Sequence, residues 1–128
     1  MISVTIPLRT VSEANRHEHW RARQRRAKEQ RTAVVLVLAA EWFRKLGHRP
    51  YWTLKFGYFA GSDLIVQLTR LTARELDDDN LQGALKHVRD GVADTLGIDD
   101  RNPRVTWEYA QERAKGYAVR IEIRRREA

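Results

Sequence analysis

The sequence predicts a single two-layer α+β domain over residues 1–128. We expect a mixed β-sheet of about five strands, two hairpins among them, with two main helices on one face. Short segments of alternating apolar residues predict the strands, and two longer segments with helical spacing predict the helices. Their order, β–α–β–β–α–β–β, is typical of two packed layers. A chain of 128 residues with 42% hydrophobic residues is long enough to bury one core.

The N-terminal third predicts one strand and one long helix. Residues 2–8 are short, rich in β-formers and roughly alternating, so a strand is expected to end near Pro7. A helix is predicted from about Arg16 to Leu46, with Gly47 as its stop. Its first half is polar and basic, and its buried part is expected at about 28–46. Three apolar residues share one face of that part: Val34, Leu38 and Trp42.

The middle of the chain predicts a hairpin. Residues 51–59 alternate, which indicates a strand, and residues 64–72 are rich in β-branched side chains. The turn between them is Gly61-Ser62-Asp63. The expected apolar face of the first strand consists of Trp52, Leu54, Phe56 and Tyr58.

The C-terminal half predicts a second helix and a closing hairpin. The helix is expected over 80–96 and ends at Gly97. Strands are expected over 105–111 and 117–124, joined by a turn at 112–116. The helix carries one narrow apolar stripe formed by Leu81, Leu85, Val88, Val92 and Leu96.

Composition and charge narrow the class of function. The chain holds 24 Lys+Arg against 17 Asp+Glu, a net charge of +7, which favours nucleic acid, acidic lipid or another polyanion as partner. The absence of Cys excludes disulfides and thiolate metal sites. We expect no signal peptide, because Met1 to Ile6 has no basic region ahead of a long apolar core, and the sequence has no apolar run of the roughly 18 residues that a membrane span needs. We therefore expect a cytoplasmic protein without membrane contact and, since no nucleotide-binding motif is present, without a small-molecule cofactor.

Two acidic clusters flank the second predicted helix. Asp77, Asp78 and Asp79 precede it, and Asp99-Asp100 follow it. In an extended segment Asp77 and Asp79 point to the same side, and like charges held together need a nearby cation. Carboxylate oxygens suit Mg²⁺ or Mn²⁺, so the sequence predicts a divalent-metal site whose third ligand is Asp99 or Asp100.

The distance between the clusters limits this interpretation. The helix between them has about 16 residues and is roughly 24 Å long. The clusters can share an ion only if the loop after Gly97 folds back, or if a partner subunit supplies the second cluster. The alternative is structural, since carboxylates before a helix are ordinary N-caps and Asp99-Asp100 suits a solvated turn.

Basic residues supply candidates for phosphate contacts. Lys86 could stabilise charge on a scissile phosphate, or it could pair with Asp90 four residues later. The basic first half of the first helix is expected to bind nucleic-acid phosphates. The predicted DNA-binding residues are Arg21, Arg25, Lys28, Arg74 and Lys86.

The run Leu76-Asp77-Asp78-Asp79-Asn80-Leu81, followed by Lys86 and Ile98-Asp99-Asp100, resembles the RusA family of Holliday junction resolvases of bacteria and their phages. That family shows an Asp-x-Asp-Asn-Leu motif entering a helix, a lysine within the helix and an Asp-Asp pair after it. The stretch Ser12 to Asn15 and the closing hairpin also look similar. The resemblance covers most of the chain, but its specific part is the block 76–100.

The resemblance implies a homodimeric, Mg²⁺-dependent endodeoxyribonuclease of DNA recombination and repair, in a bacterial or phage-infected cell, that cuts four-way junctions by paired nicks. It assigns Asp77, Asp79 and Asp100 as catalytic, metal-binding carboxylates. The family lysine stands three residues after the Asn, where this chain has Gly83, so its catalytic role passes to Lys86 through a short insertion. The alternative is a non-catalytic basic nucleic-acid-binding protein that retains the acidic motif as a helix cap.

Overall fold

The computed structural model describes residues 1–12 and 19–127. These residues form a four-stranded mixed sheet and three helices, which confirms the two-layer α+β prediction with four strands in place of about five. In chain order the elements are β1 (Ile2–Ile6), α1 (Trp20–Leu46), β2 (Leu64–Thr72), α2 (Asp78–Ala84), α3 (Lys86–Leu96), β3 (Val105–Arg113) and β4 (Ala118–Arg125).

The sheet has the strand order β1-β4-β2-β3, in which only the β2–β3 pair is parallel. Because side chains alternate between the two faces of a sheet, one face collects the apolar residues of all four strands. The helix α1 packs against both α3 and β1, so the helices form the second layer. The buried face carries three successive rows: Ile2, Ile123, Val66 and Trp107; Val4, Ile121, Leu68 and Tyr109; Ile6, Val119, Arg70 and Gln111.

Both predicted hairpins are wrong. The closing strands β3 and β4 do not pair, because β2 lies between them and bonds to each. The connection 114–117 crosses the end of β2, where the amide of Ala114 donates to the carbonyl of Thr72 at 3.0 Å. The nearly continuous burial of 64–72 is typical of a central strand with neighbours on both edges.

The strand predicted over 51–59 is also wrong, because this segment forms a series of turns. The amides of Lys55 and Phe56 both donate to the carbonyl of Trp52, at 2.9 and 3.0 Å. Trp52 has a φ of 58°, a left-handed conformation that no regular strand contains. Of the four residues on the predicted apolar face, only Leu54 is buried.

The second predicted helix is two helices that meet at Leu85, the C-cap of α2 and the residue before α3. The amide of Leu85 lies 3.2 Å from the carbonyl of Leu81 and 3.3 Å from that of Gln82, so the chain tightens there. Gly97 ends α3 with a φ of 64°, as predicted. The apolar stripe is buried at all five predicted positions, Leu81, Leu85, Val88, Val92 and Leu96.

The long first helix begins at Trp20 in the described residues, with His19 as its N-cap. The predicted start at Arg16 lies outside the ranges that the structure describes. The predicted inner face is confirmed, and Gln30 joins it among the buried residues of α1. None of the helices in the described ranges combines the length and the apolar character that crossing a membrane requires.

Candidate acidic site and its basic surroundings

The first acidic segment is ordered by Asn80. Asp77 is the N-cap of α2: its Oδ1 accepts from the Asn80 amide at 2.9 Å, and its Oδ2 accepts from Asn80 Nδ2 at 3.0 Å. The hydroxyl of Ser12 donates to Asn80 Oδ1 at 2.7 Å. The N-terminal segment and the carboxylate of Asp77 are therefore tied together through one side chain. Asp79 lies in the first turn of α2 and is exposed.

The second acidic segment folds back along α3. The carbonyl of Asp100 accepts from Arg89 Nη2 and from Trp107 Nε1, both at 2.9 Å. The Asp100 carboxylate lies 3.5 Å from Arg89 Nε, an ion-pair distance that is long for a hydrogen bond. Since Arg89 is in the first turn of α3, the loop after Gly97 returns toward the start of the helix. Arg89 thus holds this loop.

The edge strand β3 supports both acidic segments through alternate side chains of one face. The side chain of Gln111 bonds the backbone of Leu76 twice: its Oε1 accepts from the Leu76 amide at 2.9 Å, and its Nε2 donates to the Leu76 carbonyl at 2.6 Å. The Tyr109 hydroxyl accepts from Arg89 Nη1 at 2.7 Å, and Trp107 bonds the second acidic segment. At about 3.3 Å per residue, Trp107 and Gln111 are roughly 13 Å apart along the strand.

The three predicted metal ligands do not form one centre within a single chain. In the described ranges, no group of three or more His, Cys, Asp or Glu side chains is close enough to hold a metal ion. Gln111 of β3 bonds the backbone of Leu76, next to Asp77, and Trp107, four residues earlier on the strand, bonds the carbonyl of Asp100. The described residues of one subunit therefore do not by themselves place Asp77, Asp79 and Asp100 around one ion.

Lys86 is the first residue of α3 and is exposed. Within the described ranges it forms no ion pair with Asp90, so the alternative interpretation of Lys86 as a helix ion pair is wrong. At Gly83, where the family lysine would stand, an added Cβ would meet no neighbouring group within 4 Å. Position 83 therefore has room for a lysine side chain, and the side chain of Lys86 is exposed.

The predicted DNA-binding residues of α1 lie on one face of the helix. Arg21, Arg25 and Lys28 are spaced by four and three residues, and all three are exposed. Among the described residues, none of them forms an ion pair. Arg31 of the same basic segment differs, because Asp94 accepts from its Nε at 3.1 Å and from its Nη2 at 2.7 Å.

Sequence reasoning missed Arg70, which is only 7% exposed. Its position two residues after Leu68 on β2 places it in the third row of the buried face, beside Gln111. The signal that could have found it was an arginine at a core-facing position of a strongly apolar strand. Arg70 and Gln111 form the polar end of this face, which lies beside the segment that carries Leu76. Arg74 is four residues after Arg70 in the chain.

Comparison with known proteins supplies no function. No protein-family model and no solved structure matches the chain. An uncharacterized protein of Xylella fastidiosa (strain Temecula1) is 33% identical over 103 residues, which cover 79% of this chain and 61% of that protein. The chain thus spans about three fifths of the length of this relative.

Proposed function

We propose that the chain is a Mg²⁺-dependent, structure-selective endodeoxyribonuclease that acts on four-way DNA junctions as a homodimer. The supporting observation is that one edge strand, β3, anchors both acidic segments. Gln111 holds the backbone of Leu76, and Trp107 holds that of Asp100. A rigid strand that fixes both segments is a suitable frame for carboxylates that act together.

The protein ligands of the proposed metal ion would be the carboxylates of Asp77 and Asp79. Mg²⁺, or Mn²⁺ in its place, commonly takes one or two protein carboxylates and completes its shell with water and substrate phosphates. Asp79 is exposed, and Asp77 is oriented by Asn80. Asp100 joins the site only if a second subunit or bound DNA brings it there. When bound, the ion would supply an activated water and charge stabilisation for the leaving oxygen.

Substrate binding is assigned to the basic face of α1. Arg21, Arg25 and Lys28 are exposed and lie on one helix face. Guanidinium and ammonium groups on phosphates contribute affinity without base specificity, which suits recognition of DNA by shape. Two such faces in a symmetric dimer would match the symmetry of a four-way junction.

The test is cleavage of a labelled four-way oligonucleotide junction with and without Mg²⁺. The wild type is expected to make paired nicks only with Mg²⁺ or Mn²⁺, and Asp79→Asn is expected to bind the junction but not cut it. The control is Glu75→Gln, which removes an exposed carboxylate of the same segment outside the proposed site. Cleavage by Asp79→Asn at the wild-type rate would remove the assignment.

One observation favours the second candidate, a nucleic-acid-binding protein without catalysis. Both carboxylate oxygens of Asp77 already accept hydrogen bonds from Asn80, as a purely structural cap would. Under this alternative the wild type binds DNA but leaves every junction intact with either metal, and Asp77→Asn behaves as the wild type.

A further inference from the structure

Arg70 is a buried cation bonded to neutral groups. Its Nε donates to Thr10 Oγ1 at 3.0 Å, and its Nη1 donates to Thr72 Oγ1 at 2.9 Å and to the carbonyl of Arg74 at 2.8 Å. A longer contact of 3.5 Å joins Nη2 to the carbonyl of Thr10. Within the ranges that the structure describes, no carboxylate pairs with this guanidinium.

A buried charge without a counter-ion is costly, by several kcal/mol for an ion in a protein interior. Burial lowers the pKa of Arg70, since removal from water disfavours the charged form. Hydroxyl and carbonyl oxygens accept from four of the five N–H donors of Arg70 but leave its positive charge uncompensated. An anion beside it would offset this cost.

Arg70 lies at an open cleft of about 590 Å³ whose lining contains two more arginines, Arg9 and Arg74. No acidic residue lines the cleft among the described residues. Arg9 is exposed and its guanidinium lies 5.0 Å from the ring centre of Tyr117. The hydroxyl-bearing lining residues are Thr10, Ser12, Thr72 and Tyr117. Three cations and several hydroxyl groups form an environment for a multivalent oxyanion.

The donor geometry favours phosphate. Guanidinium groups bind phosphate oxygens in pairs of parallel hydrogen bonds, and hydroxyl groups can add further ones. Arg70 has five N–H donors, four of which are directed at Thr10, Thr72 and Arg74, so one on Nη2 is left for a ligand. Arg9 and Arg74 would therefore make most of the direct contacts, while Arg70 supplies buried positive charge.

We propose that this cleft binds a phosphate group, with Arg9 and Arg74 on its oxygens and Arg70 behind them. The site needs neither metal nor cleavage, so it does not depend on the nuclease proposal. Ser12 lines the cleft and also bonds Asn80, which places the cleft next to the start of α2. The phosphate can come from free inorganic phosphate or from a nucleic-acid backbone.

The experiment follows the arginine Nε–H resonances of ¹⁵N-labelled protein by NMR, in phosphate-free buffer without divalent metal. One arm titrates inorganic phosphate, and the other a short DNA strand without terminal phosphates. We expect a saturable shift of the Arg70 Nε–H signal. Arg9→Gln and Arg74→Gln should each weaken binding roughly tenfold or more, since hydrogen bonds to charged groups contribute about 1.5–3 kcal/mol.

The matched control is Arg49→Gln, which removes one exposed arginine outside the cleft and should bind within twofold of the wild type. Saturation by inorganic phosphate alone supports a free-phosphate site, and saturation by the DNA strand supports a backbone site. The proposal is overturned if neither ligand moves the Arg70 signal, or if both cleft variants bind like the control. Because Arg9 and Arg74 are exposed, we expect their replacement to leave the fold intact.

Discussion

The side chain of Asp77 combines a structural contact with a candidate catalytic one. Its two hydrogen bonds to Asn80 close the N-terminus of α2, where four amides lack helical partners. The same carboxylate carries the charge that a metal would need. Asparagine retains an oxygen that can cap a helix but not the charge, so substitutions can separate the two properties.

We predict that Asp77→Ala lowers the free energy of unfolding by about 1 kcal/mol, the usual cost of losing an N-cap, and that Asp77→Asn lowers it by only a few tenths. Urea denaturation followed by circular dichroism measures both. Both variants should lose Mg²⁺-dependent cleavage. Equal stability of Asp77→Ala and the wild type would show that the cap contributes nothing.

Lys86 is the second residue whose role can be isolated. Because it is exposed and forms no ion pair among the described residues, Lys86→Gln should change stability by less than about 0.5 kcal/mol. If its ammonium stabilises charge on the phosphate, single-turnover nicking should fall about 100-fold while junction binding persists.

The control for charge alone is Lys115→Gln, an exposed lysine in the β3–β4 connection. Gly83→Lys in the Lys86→Gln background should restore part of the rate, since that position has open space. Full activity of Lys86→Gln would exclude a catalytic lysine at this position.

At the scale of elements, the layer of helices depends on a close approach of α1 and α3. A Cβ at Gly91 would lie 2.8 Å from the Cβ of Val34 and 3.2 Å from the Cα of Arg31. The backbone of α3 can therefore contact α1 only where it lacks a side chain. This contact fixes α3, whose first turn carries Arg89 and holds the second acidic segment.

We predict that Gly91→Ala destabilises the protein by about 1 kcal/mol. Replacing glycine by alanine within a helix stabilises the helix by about 1 kcal/mol. Overpacking of the interface typically costs about 1–3 kcal/mol, so we expect a net loss of stability. Thermal denaturation measures the change. The matched control is Gly83→Ala in α2, where a methyl group meets nothing within 4 Å and should stabilise. Stabilisation by both substitutions would contradict the close packing.

Comparison of the predicted elements with the observed ones shows which features of the fold the sequence could reveal. The period of the apolar residues located the stripe from Leu81 to Leu96 and the bounds of β2, because burial of one face is a local pattern. Strand pairing is not local, so the placement of β2 between β3 and β4 was missed. The alternation in 51–59 imitated a strand, although Trp52 and Phe56 are exposed.

In the candidate site, too, the features that depend on neighbouring residues in the chain were predictable, and the long-range contacts were not. The carboxylates and the helix that they enter were visible in sequence, because caps and helix starts depend on neighbouring residues. The contacts of Arg70 with Thr10, and of Gln111 with Leu76, join residues 60 and 35 positions apart. Only the tertiary fold, in which connecting segments pack against the sheet, brings such residues together.

At the scale of the whole molecule, the net charge of +7 should make DNA binding strongly dependent on salt. Arg25→Gln and Lys28→Gln should each reduce the slope of log K against log salt concentration by about one. Fluorescence anisotropy at several KCl concentrations measures this slope. Arg44→Gln is the control, because Arg44 pairs with Glu41 near the other end of α1 and should leave the slope unchanged.

Assembly decides whether the acidic segments cooperate, since one chain does not bring three carboxylates together in the ranges that the structure describes. The homodimer remains a prediction, and sedimentation of the free protein and of its junction complex would measure it. In a dimer, a metal site would be completed by carboxylates from both subunits. Alternatively, the carboxylates of one subunit and the oxygens of a bound phosphate would complete it.

The most direct test of the central claim is paramagnetic broadening by Mn²⁺ in ¹⁵N-labelled protein bound to a four-way junction. We expect broadening centred on the amides of residues 77–80, extending to 99–101, and its loss in Asp79→Asn. Broadening that avoids residues 77–80, or that is unchanged in Asp79→Asn, would contradict a divalent-metal site at these carboxylates.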